Sequence, residues 1–220
     1  MAKIWRIDPN RPDKRMIAKA ADVICQGGVV VVPTRNLYGL CGNAFDADAV
    51  QHIFKIKGRP ADKALLLLID NRAALARVAL SPNAMAMHLM HCFWPGGVTF
   101  LLFALPELPP ALTSGSGKIG VRMVAHPVAK ALVRAVGEPL TGTSANISGA
   151  GGCVSVDRMD AHLLDAVDGV LDAGPLAGGR GSTIVDVTGA FPEVIREGSV
   201  PAQRIMACFE AFEAEGLEPL

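Results

Sequence analysis

Lys57, Gly58 and Arg59 stand together in "KIKGRP", inside a chain whose 21 lysines and arginines balance 21 aspartates and glutamates. Two cations one residue apart can flank a single polyphosphate if the chain leaves its helix extended. The arginine then offers a planar fork and the lysine a mobile point charge. They can equally close a helix, with Lys55 and Lys57 at the negative end of its dipole and Arg59 in solvent. Thr34, Arg35, Asn36 and Tyr38 follow the apolar run "VVVVP", where strand ends open into ligand clefts. A threonine hydroxyl there can bond a carboxylate or phosphate, or simply cap a turn. "TGTSANISGAGG" presents Thr143, Ser144 and Asn146, which are neutral donors to phosphate oxygens or ordinary turn formers. "AGGRGSTIVDV" carries Arg180, Ser182 and Thr183, and Arg196 ends "EVIR". Arg122 lies inside "GVRMV". An arginine in mid-strand must reach a cleft or line the polar face of an edge strand.

Other chemistries lack their residues. "TGTSANISGAGG" is neither a Walker A loop nor a dinucleotide fingerprint, and "SGSGK" at 114–118 is too short for either. No GxSxG elbow or HExxH is present. The visible groups therefore point to charge clamping rather than to attack by a side-chain nucleophile. His88 and His91 lie three apart on an expected helix, with no nearby acid to complete a metal set. Cys25, Cys41, Cys92, Cys153 and Cys208 are widely spaced and form no CxxC, so they read as reduced, mostly buried thiols in a cytosolic protein. The N-terminus has no apolar signal core, and no apolar run is long enough for a bilayer. Zero net charge gives no whole-molecule field for nucleic acid, though a local patch stays open.

The elements that must position these groups follow from periodicity and punctuation. The 220 residues are 50% hydrophobic and 19% charged, enough for one substantial core. A helix is expected from Pro12 to Gln26, with Pro12 in an early helical position and Gly27-Gly28 ending it. Val29–Val32 is a buried strand, and "TRNLYGLCGNAF" a polar turn. The helix "DADAVQHIFKIK" follows, with Asp48 and Gln51 as a capping box and Gly58 as its stop. "ALLLLI" is a second buried strand and "RAALARVA" a short helix. Ser81 caps the next helix, which runs to Phe93, with Pro82 first inside it. "VTFLLFAL" and "KIGVRMVA" are strands separated by a loop, and Pro127 opens "PVAKALVRAV". "PLTGTSANISGAGG" begins extended, and "DRMDAHLLDAV" is helical. "GVLDAGP", "STIVDVT" and "EVIREG" are strands, and a helix spans about 201–215. Helices interleaved with strands imply one mixed sheet with helical cover. The tail from Val185 to Ile195 makes at least one pair antiparallel.

The segments "VVVVPTRNLYGLCGNA", "IKGRP", "FWPGGVTFLL", "KIGVRM", "LTGTSANISG", "GSTIVDV" and "IREGSV" occur in the order found in the YrdC-like family. Over about 17–200 the chain resembles these L-threonylcarbamoyladenylate synthases of tRNA modification. The resemblance implies one YrdC-like domain over 1–220, of α+β (mixed α/β) class. It also implies a strongly twisted mixed sheet with helices on one side and an open concave cleft. It implies a cytoplasmic nucleotidyltransferase that joins L-threonine, bicarbonate and ATP into threonylcarbamoyl-AMP and pyrophosphate, for adenosine 37 of tRNA. Partner transferases would use the adenylate, tRNA or double-stranded RNA could bind, and no membrane is involved. By the same resemblance, Lys57 and Arg59 are the catalytic phosphate binders. Ser144, Asn146 and Arg196 complete the ATP set, and Thr34, Arg122, Thr143 and Ser182 receive threonine. Mg²⁺ is expected only through the ATP phosphates.

The chain departs from the family where "PTRNLYGL" replaces a pattern close to PT[DE]TxYGL. Arg35 stands for an acid and Asn36 for a threonine. Glu197 stands where a proline is usual, and it could offset Arg35. A two-domain form of the family exists, and the chain is shorter than that. Carbamoyl-adenylate chemistry on another substrate, or a non-catalytic RNA-binding module, are the alternatives.

Overall fold

The computed structural model describes residues 2–214 and 216. Val30, Val31 and Val32 are all sealed from solvent, so the strand that carries them must be covered on both faces. That strand is β2 (Val30–Pro33), one of ten among the described residues. The others are β1 (Lys3–Arg6), β3 (Tyr38–Cys41), β4 (Leu66–Ile69), β5 (Val98–Phe103), β6 (Lys118–Met123), β7 (Leu140–Ser144), β8 (Gly169–Asp172), β9 (Thr183–Asp186) and β10 (Glu193–Arg196). The helices are α1 (Lys14–Cys25), α2 (Ala47–Lys57), α3 (Ala84–Phe93), α4 (Pro110–Thr113), α5 (Pro127–Val136), α6 (Ala161–Ala166) and α7 (Ala202–Ala214). The strands form one mixed sheet in the order β1-β8-β2-β3-β7-β4-β6-β5-β9-β10. Pairs β1·β8, β2·β8, β4·β6 and β5·β9 are parallel, and the rest, including β9·β10, are antiparallel. A sheet of ten strands twists, and the twist makes one face concave.

Alternation sends successive residues to opposite faces. Val31, Leu67, Ile69, Phe100, Val121 and Val185 share a core with α2, α3, α6 and α7. Val30, Val32, Leu68, Leu140 and Leu171 share a second core with α1 and α5. Helices thus flank the sheet, α2, α3, α6 and α7 against one face and α1 and α5 against part of the face that opens into the cleft. The second cover stops near β4. Beyond it, Thr99, Leu101, Gly120, Arg122 and Ile184 face an open cleft.

Several boundaries differ from the sequence reading, for local reasons. "YGLC" is strand rather than turn: only Thr34–Leu37 turns, and β3 returns antiparallel from Pro33↔Tyr38. Gly39 is there because a Cβ would lie 3.0 Å from the Thr143 carbonyl of β7. β1 went unread because "KIWR" is a short, largely exposed edge strand without an apolar face. α1 begins at Lys14 with Asp13 as its cap, so Pro12 lies before the helix rather than inside it, and Asn83, not Ser81, caps α3. Asp46 caps α2 by accepting from the amides of Asp48 and Ala49, each at 3.0 Å, so the Asp48–Gln51 capping box is not used. "RAALAR" is 3₁₀, "PALT" makes the single turn of α4 inside the expected loop, and α6 is shorter than "DRMDAHLLDAV". Cys41 and Cys153 are buried, but Cys25 and Cys92 are exposed, because "mostly buried" ignored which helix face they occupy. The C-terminal helix holds through Ala214, and Glu215 lies outside the described residues. No helix among the described residues is long and apolar enough to cross a membrane.

Asp46→Ala should cost about 0.5–2 kcal/mol. That lowers the thermal midpoint by about 2–4 °C per kcal/mol for a chain of this size. Asp48→Ala should leave it nearly unchanged. Differential scanning calorimetry of the two variants checks which aspartate is the cap.

Candidate functional site

The helix stop at Gly58 decides what the adjacent cations can do. Gly58 is left-handed (φ 54°, ψ 39°), and its amide and that of Arg59 close on the Lys55 and Phe54 carbonyls. The chain therefore does not leave α2 extended, and Lys57 and Arg59 do not point the same way. Lys57 is 1% exposed. Its ammonium donates to the carbonyls of Ser144 at 2.5 Å and Asn146 at 2.6 Å, while its own carbonyl accepts from the Ser148 amide at 2.8 Å. Burial, with a smaller push from Arg59, lowers the ammonium to about 8. The Ser144 and Asn146 carbonyls, with Asn146 Oδ1 at 3.5 Å, favour the charged form against that trend. Lys57 thus fastens the turn that leaves β7. Asn146 braces the same turn: its amide donates to the Ile147 and Ala150 carbonyls, each at 2.7 Å. Its Oδ1 meets the Ser144 hydroxyl. The backbone around Lys57 and Asn146 thus engages their polar atoms, and neither residue lines the cleft.

The remaining seven candidates, Thr34, Arg59, Arg122, Thr143, Ser144, Ser182 and Arg196, line one cleft of about 620 Å³. That volume suits a nucleotide-sized ligand. Different strands deliver them. Arg122 stands on β6 opposite Leu68 of β4, and Thr143 on β7 opposite Leu40 of β3. Arg196 ends edge strand β10, where a register shift between Val194 and Arg196 turns it inward. Its Nη2 then reaches the Ser182 carbonyl at 2.9 Å. Arg59 is held by two carbonyls of its own loop, Lys63 at 2.9 Å and Ala64 at 2.6 Å. Ser182 accepts from Thr99 Oγ1 at 2.8 Å, which orients its hydroxyl. Thr34 donates to the Leu37 carbonyl at 2.6 Å, so its oxygen both caps the turn and faces the cleft.

Arg122 accounts for the electrostatics. Among the described residues, nothing accepts a hydrogen bond from its guanidinium and no carboxylate pairs with it. Burial, with Arg196 adding to it, lowers it to about 10. Arg59 and Arg196 are lowered as well, chiefly by burial. Arg35 and Arg180 also line the cleft, against one carboxylate, Glu197. Glu197 does not offset Arg35: its Oε1 takes Arg180 at 3.2 Å and its Oε2 takes the first amide of α7, on Ala202, at 2.9 Å. A neutral chain thus concentrates guanidinium groups in one hollow, an arrangement that suits carboxylate and phosphate oxygens.

Tyr38, read as part of the polar spot, is instead a buried strut. Its hydroxyl donates to the Gly174 carbonyl at 2.7 Å and accepts from the Ala173 amide at 3.0 Å, and burial pushes it up to about 12. Thr99 was missed, though a lone hydroxyl in "VTFLLF" was its signal. Away from the cleft, His88 gathers with Cys92 and Cys208 rather than with His91, a grouping that sequence spacing does not reveal.

The Sua5/YciO/YrdC sequence profile, described as "Telomere recombination", matches residues 22–198. A Mycobacterium tuberculosis protein, named provisionally as a threonylcarbamoyl-AMP synthase, is 39% identical over 191 residues, 87% of this chain and 88% of that protein. The threonylcarbamoyl-AMP synthase of Bacillus subtilis is 36% identical over 193 residues, 87% of this chain. The crystal structure of Pyrococcus abyssi Sua5 complexed with L-threonine superposes with a TM-score of 0.87 at 33% identity, covering 93% of this chain. The chain spans 56% of the Bacillus protein and 60% of the Pyrococcus chain.

Lys57→Met should leave the Ser144 and Asn146 carbonyls without their donor and cost about 1–3 kcal/mol. Arg122→Leu should do the opposite. It removes a desolvated, unpaired charge and raises the thermal midpoint by about 2–4 °C per kcal/mol gained. Thermal melts in phosphate-free buffer compare the two.

Proposed function

This chain belongs to the Sua5/YciO/YrdC family, and on that premise we propose that its cleft forms threonylcarbamoyl-AMP from L-threonine, bicarbonate and ATP. The observation that carries the reading is Arg122, a cleft guanidinium without a carboxylate, beside Arg59 and Arg196. Arg122, with the hydroxyls of Thr34, Thr143 and Ser182, receives the threonine carboxylate. Arg59, Arg196 and Ser144 face the nucleotide phosphates, and Lys57 and Asn146 hold the turn that carries Ser144.

The reaction follows from charge. Threonine's amine takes up carbon dioxide derived from bicarbonate and loses a proton, giving a carbamate. A carbamate oxygen attacks the α-phosphorus of ATP, the bond to the β-phosphate bridging oxygen breaks, and pyrophosphate leaves. Negative charge grows on the phosphate oxygens, where preorganised guanidinium groups stabilise the transition state without reorienting. Among the described lining residues, Glu197 is the one carboxylate and it is paired, so the cleft has no acidic ligand set of its own. Mg²⁺ belongs to the MgATP substrate. Transfer of the threonylcarbamoyl group to tRNA falls to partner proteins.

Arg35 favours a second reading, carbamoyl-adenylate formation on a different amine. It stands where an acid would attract a substrate ammonium, and Glu197 does not neutralise it.

Purified protein incubated with ATP, Mg²⁺, bicarbonate and L-threonine should yield pyrophosphate and, by mass spectrometry, threonylcarbamoyl-AMP. Arg59→Ala and Arg122→Ala should each lower turnover by about 10²–10³-fold in a folded protein. Adduct only when another amine replaces threonine selects the second reading. A folded protein that gives neither product rejects both.

A further inference from the structure

On the sheet face covered by α2, α3, α6 and α7, two thiols and an imidazole converge from two helices. His88 and Cys92 are four residues apart on α3, so they share one helix face. Cys208 comes from α7, whose Ile205, Phe209 and Phe212 are buried against the core. That packing brings Cys208 Sγ to 2.7 Å from Cys92 Sγ, and Cys92 Sγ lies 3.7 Å from His88 Nε2. The three donor atoms all fall within 4.8 Å of one another. The Phe212 ring rests against the imidazole with centroids 5.2 Å apart, which restrains the ring while leaving Nε2 toward the sulfurs. None of the three residues lines the cleft.

We propose that His88, Cys92 and Cys208 form a binding site for a borderline-soft divalent cation of the zinc type, clamping α7 to α3. The donor chemistry favours this class. Two sulfurs and one imidazole nitrogen suit Zn²⁺ in tetrahedral coordination and suit Mg²⁺ or Ca²⁺ poorly. Cys92 is exposed and His88 and Cys208 are half-buried, so the fourth position faces solvent and takes water. The sulfurs must separate by about 1 Å to reach the spacing of two thiolates bound at about 2.3 Å to a tetrahedral ion. Cys92 is exposed, so its side chain is the one with room to turn. Binding releases one proton from each thiol. Two thiols this close could instead be oxidised to a disulfide, but that product would give His88 no part.

Cobalt(II) titration of the reduced full chain under anaerobic conditions tests the site, because a thiolate-bound tetrahedral cobalt shows charge-transfer and intense ligand-field absorption. One equivalent should bind with that signature, zinc should displace it, and the zinc-loaded chain should melt at a higher temperature. Cys208→Ser and Cys92→Ser should each abolish the charge-transfer band, His88→Ala should weaken binding by at least about tenfold, and Cys25→Ser should change nothing. Absence of the band in reduced wild type, or its survival in both Cys92→Ser and Cys208→Ser, overturns the proposal. So does a chain that takes up no cobalt and forms a Cys92–Cys208 disulfide in air, seen by peptide mapping. The readouts do not involve the cleft, so loss of the synthase reading leaves them intact.

Discussion

Lys57 carries a charge into a place that water barely reaches, and the carbonyls of Ser144 and Asn146 must come to meet it. A buried ammonium without acceptors costs several kcal/mol, so the chain that leaves β7 has little freedom in where it turns. Its position then follows from α2, whose C-terminus is set by the left-handed Gly58. β7 is in turn the strand that joins β3 to β4, and so joins the two halves of the sheet. The same bond that satisfies the lysine therefore sets the seam of the sheet and the edge of the cleft.

The cleft exists because helical cover is incomplete. α1 and α5 bury the face around β2, β7 and β8, and they end before β5, β6 and β9. Side chains on the uncovered strands face a solvent-filled hollow instead of a core, so that face can carry Thr99, Arg122 and Ser182. Their neighbours Phe100, Val121 and Thr183, one residue along, are fully buried. Arginine suits this half-wet position: its guanidinium stays charged after partial desolvation and binds oxyanions in a fork. Crowding several such groups destabilises the fold through charge repulsion. Arg122 therefore costs stability, whereas Lys57, bonded to two carbonyls, adds to it.

Much of the fold was legible because buried strands announce themselves. "VVVV" and "ALLLLI" have no polar face; the structure seals Val29–Val32 completely and buries Leu65, Leu67, Leu68 and Ile69, while Leu66 borders the cleft. Helix stops at Gly27 and Gly58 were readable because a positive φ favours glycine, and both have one here. β1 and β3 were hidden for opposite reasons: one is an exposed edge with charged residues, and the other carries a glycine demanded by a neighbouring strand rather than by a turn. At the site, residue type and the family motifs together singled out Arg59, Arg122, Thr143, Ser182 and Arg196, all of which line the cleft. It could not separate them from Lys57 and Asn146, whose polar atoms the surrounding backbone occupies.

Local chemistry is written in the order of residues, and the sequence by itself determined that order: where helices stop, which strands are central, and which polar residues could handle anions. Its motifs in series also sufficed to mark the family. What only the tertiary structure decided is which of those groups face each other and which are already satisfied. Glu197 turns to Arg180 and to the start of α7 rather than to Arg35, and Cys208 meets Cys92 across 116 residues. No local pattern encodes such pairings, because they arise from how distant helices pack on the sheet. The physical reason is that burial and partnership belong to three-dimensional neighbours, and the energy of a charge depends on them more than on its own side chain.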